Sequence, residues 1–225
     1  MSGKAYFSNE LFRFLTDLRK NNNRDWFSAN KARYEAAVRE PFLQFIADFS
    51  YRLDKISPYF VADPRPNGGS LFRIYRDVRF SSDKSPYKTH ASAYFPHREA
   101  NKDVQSPGFY LHLEPGASFA GGGLWHPDAV SLRNIRTAIV EQPKSWQQVH
   151  KSKLKVEGER LSRPPKGFTA DHPFIEDIKL KDFVNTVKFT NAQVCGKDFM
   201  SEFLAACKMM TPLIKFLTTT LNLNW

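Results

Sequence analysis

The chain has 225 residues, of which 41% are hydrophobic and 25% are charged, values that exclude an intrinsically disordered protein. A chain of this length can bury roughly 70% of its unfolded surface, so a core forms without a disulfide or a metal. We expect one domain spanning residues 1–225. The formal net charge of +10 favours polyanionic partners, although the basic residues are distributed along the whole sequence.

The cysteines and the hydropathy indicate the compartment. Cys195 and Cys207 fit neither a metal-binding spacing nor a disulfide framework, and we expect both to be inert thiols of the core. No segment approaches the roughly 20 apolar residues that cross a bilayer, so no membrane partner is predicted. The first residues do not resemble an apolar signal region either, and the expected location is therefore the cytoplasm.

The first part of the chain has the period of amphipathic helices. Ser8 is a predicted N-cap for a helix over residues 9–20, which has apolar side chains at helical spacing. A later helix begins near Pro41 and runs to about Leu53, since proline suits the first helical turn. Prolines and glycines between residues 58 and 69 then indicate a loop.

From residue 71 the hydrophobic period changes to two, which indicates β-strands. We predict strands near 71–80, 87–96 and 108–114, each with a core face and a polar face, and one more strand over 183–190. Helices at both ends around a block of strands define the α+β class. The sheet is expected to be mainly antiparallel and flanked by N-terminal and C-terminal helices.

The second half contains a glycine run and two longer helical patterns. Gly121–Gly123 fits either a phosphate cradle or a tight turn or bulge, since it lacks the other residues of a nucleotide-binding loop. A helix is predicted from Pro127 to about Glu141. A closing helix covers residues 198–221, with a kink or break expected at Pro212.

The densest chemistry lies between Arg73 and His90. If the three strands near 71–114 form one sheet, their polar faces bring cations, tyrosines, carboxylates and histidines together. Arginine and lysine suit a phosphate or a carboxylate, and a histidine oriented by a carboxylate is a general base. The candidate ligand-binding residues are Arg73, Tyr75, Arg76, Arg79, Lys84, Lys88 and Tyr110. The candidate catalytic residues are His112, His90, Asp77 and Glu114.

Other interpretations of the same residues remain open. The charges can simply pair across strands on a solvated sheet face. Arg76 alternates onto the core side, where it must meet a buried carboxylate or mark a bulge. His112 and Glu114 with Asp77 could ligate a divalent ion, but no pair of histidines has metal-ligand spacing on a predicted helix, so no metal site is predicted.

The function that these residues favour is binding of an anionic, phosphate-bearing small molecule on the polar sheet face, with acid/base catalysis by His112 or His90. One alternative is a non-catalytic nucleic-acid-binding module that uses the basic segment 151–166. Another is a protein-interaction scaffold, which an open, flat sheet face would favour. The sequence names neither a cofactor nor a substrate.

Several motifs resemble a known family. The longest, R-x-x-R-D-x-R-F-x-x-x-K-x-P-Y, runs from Arg73 to Tyr87. Shorter ones lie at residues 22–27, 110–114, 121–125, 163–168 and 171–173. Together they resemble the signature of a widespread family of uncharacterised bacterial and fungal proteins, a domain of unknown function. The resemblance covers nearly the whole chain and implies a single domain, but it carries no established activity, substrate or catalytic residue.

Overall fold

The computed structural model describes residues 3–99 and 106–225. The helices are α1 (Asn9–Lys20), α2 (Arg24–Ala29), α3 (Lys31–Tyr34), α4 (Glu40–Asp54), α5 (Ala129–Glu141), α6 (Pro143–Lys151), α7 (Ile175–Ile178), α8 (Asn191–Val194) and α9 (Phe199–Thr220), and a π-helical turn, Glu35–Arg39, joins α3 to α4. The strands are β1 (Ala91–Pro96), β2 (Gly108–Leu113), β3 (Ser118–Leu124) and β4 (Phe183–Phe189). The predicted α+β class is confirmed.

The four strands form one antiparallel sheet in the order β1-β2-β3-β4. One face of this sheet packs against α9, because Gly122 on β3 brings the backbone close to Met210 and Ile214 of that helix. Side chains alternate along a strand, so Leu111 and Ala120, which are fully buried, belong to the same covered face. The other face therefore points away from α9.

The helices predicted from amphipathic periodicity are present. Ser8 accepts a hydrogen bond from the backbone N–H of Glu10 and caps α1, whose apolar stripe is buried. Pro41 lies in the first turn of α4, directly after the π-helical turn, a position that suits proline. Helix α9 continues through Pro212, so the alternative of a break there is wrong. None of the helices in the described residues has the length and apolarity that a bilayer span requires.

The strand predicted at 71–80 is wrong. This segment makes only isolated bridges, Leu71 with Ala93 and Tyr75 with Tyr87. Four residue steps separate Leu71 from Tyr75, whereas six separate Tyr87 from Ala93, so the second segment carries two extra residues between the bridges. The chain bulges there, just before β1, and the bulge contains His90.

The glycine run is neither a turn nor a phosphate cradle. Gly121–Gly123 lies within β3, paired on both sides to β2 and β4. Gly123 has φ of 136°, and a Cβ there would lie 2.0 Å from the carbonyl oxygen of Phe183, so only glycine fits. The glycines thus allow close approach of α9 and β4 to this strand. The strand predicted at 183–190 is confirmed as β4.

Candidate active site

The candidate site lies on the sheet face that points away from α9. We call this the open face and define it by Ser92, Tyr94, Tyr110, His112 and Phe119. In the register of the sheet, His112 on β2 lies between Ser92 on β1 and Phe119 on β3, and the ring of Phe119 stacks on the imidazole at a centroid distance of 4.8 Å. The rings of Tyr94, Tyr110 and Phe119 are partly exposed, so solvent reaches this face.

A continuous hydrogen-bonded chain runs from Glu114 through His112 to Tyr110. Nε2 of His112 is 3.0 Å from a carboxylate oxygen of Glu114, and Nδ1 is 3.1 Å from the Tyr110 hydroxyl. When Nε2–H donates to the carboxylate, a neutral ring has Nδ1 as its acceptor, and the Tyr110 hydroxyl donates to it. We call this chain the relay. It joins three residues that strand alternation places on one side of β2.

Arg19 fixes the carboxylate end of the relay. Its guanidinium donates to the other oxygen of Glu114 at 2.6 Å from the C-terminal turn of α1. At the other end, burial raises the pKa of Tyr110, and a hydrogen bond with Ser92 opposes that rise. The hydroxyl of Tyr110 is therefore protonated at neutral pH and can act as a proton donor.

A second imidazole lies against the relay. The ring of His90 is 4.4 Å from that of His112 between centroids, and one ligand atom each from His90, His112 and Glu114 lie within 4.8 Å of one another. Burial and, to a smaller extent, the charges of His112 and Lys88 lower the pKa of His90 to about 4, with Glu114 opposing them. His90 is therefore neutral near pH 7. We call His90, His112 and Glu114 the cluster.

Lys88 borders the cluster, and Arg73 lies near Lys88. Lys88 places its ammonium 5.1 Å from the centroid of the Phe72 ring, which in turn lies 6.4 Å from the ring of Tyr110. Burial and the nearby Arg73 lower the pKa of Lys88. Within residues 3–99 and 106–225, no carboxylate lies within salt-bridge distance of Lys88 or Arg73. Neither cation therefore has a salt-bridge partner in the described part of the protein, although the charge of Arg73 helps to lower the pKa of Asp77.

The other predicted charges lie in a loop with partners of their own. Arg76 pairs with Asp83, and Arg79 pairs with Asp77 at 2.7 Å. Lys84 donates to the backbone carbonyl of Val78 at 3.0 Å. The Asp83 side chain is 57% exposed, so of the two alternatives for Arg76 the buried carboxylate partner is wrong.

Asp77 does not reach the histidines. The hydrogen bonds from Arg79 lower the pKa of this exposed carboxyl to about 2, and it is no member of the cluster. Tyr75 is also placed elsewhere, because its half-exposed ring packs against Phe27 of α2 at 6.2 Å and against Tyr87 at 5.4 Å. Of the predicted site residues, the structure gathers His90, His112, Glu114 and Tyr110, with Lys88 and Arg73 beside them.

Sequence reasoning missed two participants. Arg19 had no signal beyond its place in a basic last helical turn, and its contact with Glu114 joins residues far apart in the chain. Phe119 belongs to β3, which the glycine run concealed.

A depression of about 460 Å³ lies beside α1 and includes no member of the cluster or the relay. Its lining residues are Asn9, Phe12, Arg13, Thr16, Asp17, Arg33, Pro115 and Asn191.

The fold and the site together define an α+β protein with a histidine–carboxylate cluster on the open face of an antiparallel sheet. The chain belongs to the family of conserved hypothetical proteins DUF2461, whose match covers residues 10–216. The expected membership of a domain family of unknown function is thereby confirmed. A search of curated proteins finds no match.

Proposed function

We propose that the open face binds a small ligand bearing a phosphate or a carboxylate and transfers a proton to or from it. The observation that carries this proposal is the relay with Lys88 beside it and Arg73 near Lys88, two cations without a salt-bridge partner among the described residues. A partly buried ammonium beside a guanidinium is unfavourable by itself, because both charges lose hydration and repel each other. An anionic group between them removes that penalty.

The two cations have different roles in this proposal. Arg73 offers a planar fork of N–H donors, which matches two oxygens of a phosphate or carboxylate. Lys88 is partly buried, so its attraction for the anion is screened less by water than that of an exposed lysine. Together they hold the ligand next to Tyr110, the phenol that ends the relay.

The relay supplies the proton transfer. Tyr110 accepts a proton from the ligand as its own proton passes to Nδ1 of His112, and Glu114 stabilises the resulting imidazolium. In the reverse direction the imidazolium returns that proton to Tyr110 as the Tyr110 hydroxyl donates its proton to a basic atom of the ligand. Arg19 holds the carboxylate in place, so the carboxylate cannot rotate away from Nε2. This is general acid/base catalysis.

Ligand binding is tested by a thermal-shift panel of inorganic phosphate, sugar phosphates, nucleotides, dicarboxylates and short oligonucleotides. A ligand at a hundredfold over its Kd stabilises the folded protein by about 2.7 kcal/mol. We expect one class of small anion to stabilise the wild type and Lys84→Met, which loses the same charge outside the site, but not Lys88→Met. Equal shifts in all three proteins would refute anion binding at Lys88. Oligonucleotide shifts alone, unchanged by Lys88→Met, would support nucleic-acid binding through residues 151–166.

Proton transfer is tested separately with Tyr110→Phe, which keeps the ring and removes the hydroxyl. For a turned-over ligand we expect kcat to fall by about 100-fold or more, the usual contribution of general acid/base catalysis, while binding changes little. Ligand binding without any turnover in the wild type would leave a binding protein and refute the catalytic part. Unchanged kcat in Tyr110→Phe would refute the relay.

We also propose a cytoplasmic location. Cys195 and Cys207 are both free thiols, and Cys207 is fully buried. Free thiols persist in a reducing compartment, whereas oxidising compartments favour disulfides. Fractionation of cells that express the chain with a C-terminal epitope tag tests this, and recovery in a secreted or periplasmic fraction would refute it.

A further inference from the structure

We propose that the cluster of His90, His112 and Glu114 is a binding site for one divalent transition-metal ion. These residues come from the bulge before β1, from β2 and from the residue that follows β2, so the sheet itself brings them together. One ligand atom from each lies within 4.8 Å of the others. The inference rests on this geometry and does not depend on anion binding by Lys88 and Arg73.

The spacing requires only a small movement. Ligand atoms about 2.0–2.1 Å from a tetrahedral metal are about 3.4 Å from each other. His112 and Glu114 are already at 3.0 Å, so these two ligands need little adjustment. His90 must approach by on the order of 1 Å, and it lies in a bulge outside the regular strand pairing, where the backbone is free to shift.

The donor set identifies the class of metal. Two imidazole nitrogens and one carboxylate oxygen suit Zn²⁺, Fe²⁺ or Co²⁺, whereas Mg²⁺ and Ca²⁺ prefer oxygen ligands. Three protein ligands leave at least one coordination position for water or for an anion.

Groups outside the cluster would orient the ligands. Metal-binding histidines donate their second ring N–H to a nearby acceptor, which fixes the ring and its tautomer. When Nε2 of His112 binds the metal, its proton resides on Nδ1 and is donated to the Tyr110 oxygen, 3.1 Å away. Arg19 holds one oxygen of Glu114 and leaves the other facing His112.

The test uses the tag-free, EDTA-stripped full chain with no anionic ligand. Co²⁺ is titrated while the visible d–d absorption is recorded, and Zn²⁺ is then added as a competitor. We expect one equivalent of Co²⁺ to bind the wild type, with Zn²⁺ displacing it and Mg²⁺ having no effect. His90→Ala should weaken binding at least tenfold. His150→Ala is the matched control, because His150 also faces a carboxylate, Asp177 at 2.8 Å, but belongs to no metal-binding group among the described residues.

Circular dichroism confirms that each variant is folded. If His90→Ala does not fold, His90→Gln removes the imidazole nitrogen with a side chain closer in volume to histidine. The shift of the wild-type Tm by Zn²⁺ gives an independent measure of metal binding. Binding of Co²⁺ that is equal in wild type and the His90 variant would overturn the inference, as would no binding in the wild type. Neither result affects the proposal of anion binding, which is tested by the thermal shifts of wild type and Lys88→Met in the absence of metal.

Discussion

The contact between α9 and the sheet predicts a large difference between two adjacent glycines. A Cβ at Gly122 would lie 2.7 Å from Sδ of Met210, 2.9 Å from Cδ1 of Ile214 and 3.0 Å from Cβ of Met210. The first two atoms lie far out on flexible side chains and can move, but Cβ of Met210 is fixed to the helix backbone. Overpacking of this kind lowers the free energy of unfolding by about 1–3 kcal/mol. Replacing glycine also restricts the unfolded chain, which raises the free energy of unfolding by about 0.4–1 kcal/mol. We therefore expect Gly122→Ala to lower the free energy of unfolding by about 1–2 kcal/mol.

Gly121→Ala is the matched control. Its Cβ would point to the open face, where the nearest atoms belong to Tyr110 at 3.6 Å, an ordinary contact. Only the unfolded-state effect remains, so this variant should be unchanged or more stable by up to about 1 kcal/mol. Urea unfolding followed by circular dichroism measures both, with an unchanged m-value showing that the midpoint shift reports stability. Equal midpoints for the two variants would refute the packing of α9 on this face of β3.

Three further predictions concern buried groups. Arg136 is buried and donates to the backbone carbonyls of Ile178 and Leu180 at 2.7 and 3.0 Å. Arg136→Met should lower the free energy of unfolding, measured in urea, by about 2–4 kcal/mol, because those carbonyls lose their donors. Burial raises the pKa of Tyr34 to about 12 from 10.0. The contribution of the protonated phenol to the free energy of unfolding is therefore fully present below pH 10 and is lost as the pH rises through 12. The urea midpoint should therefore fall less in Tyr34→Phe than in wild type between pH 9 and 11.5, by an amount equivalent to at most roughly 2–3 kcal/mol. Burial also raises the pKa of Cys207, so iodoacetamide labelling with mass spectrometry should modify it only after unfolding, whereas Cys195, which is partly exposed, should react in the native protein.

Helices were predictable here because their signals are local. The apolar stripe of residues 9–20 and the capping oxygen of Ser8 both lie within one segment, and α1 has the predicted bounds. The same applies to α4, whose start depends on Pro41. Such patterns need no knowledge of the rest of the fold.

The strand at 71–80 failed because alternation shows only which side chains could share a face. A strand also needs a pairing partner along its length. Here the neighbouring segment of the same chain bulges at Lys88–His90 and interrupts the pairing. Of the apolar residues that suggested the strand, Ile74 is buried, while Phe72 is 46% and Phe80 is 97% exposed. The glycine run misled for a similar reason. Its conformational freedom suggested a turn, whereas the need for glycine comes from α9 and β4, which are distant in sequence.

The candidate site was predictable where it follows a single strand. Tyr110, His112 and Glu114 are two residues apart, and alternation alone puts them on one side of β2. The approach of His90 was predicted from an alternating strand, but the structure achieves it through a bulge. Arg19 could not be found, since no local pattern connects the end of α1 with the end of β2.

The structure also separates two kinds of charge that look alike in sequence. In the loop around residues 76–85, Arg76 and Arg79 have carboxylate partners, and Arg79 is exposed while Arg76 is partly buried, as expected of charges that serve solubility and loop shape. Lys88 and Arg73 are neighbours of like charge, and Lys88 is partly buried, with no carboxylate partner among the described residues. Stability alone would favour compensating or exposing such a pair. In the proposed function this penalty is tolerated because it attracts an anion beside Tyr110, the tyrosine that His112 and Glu114 connect into the relay.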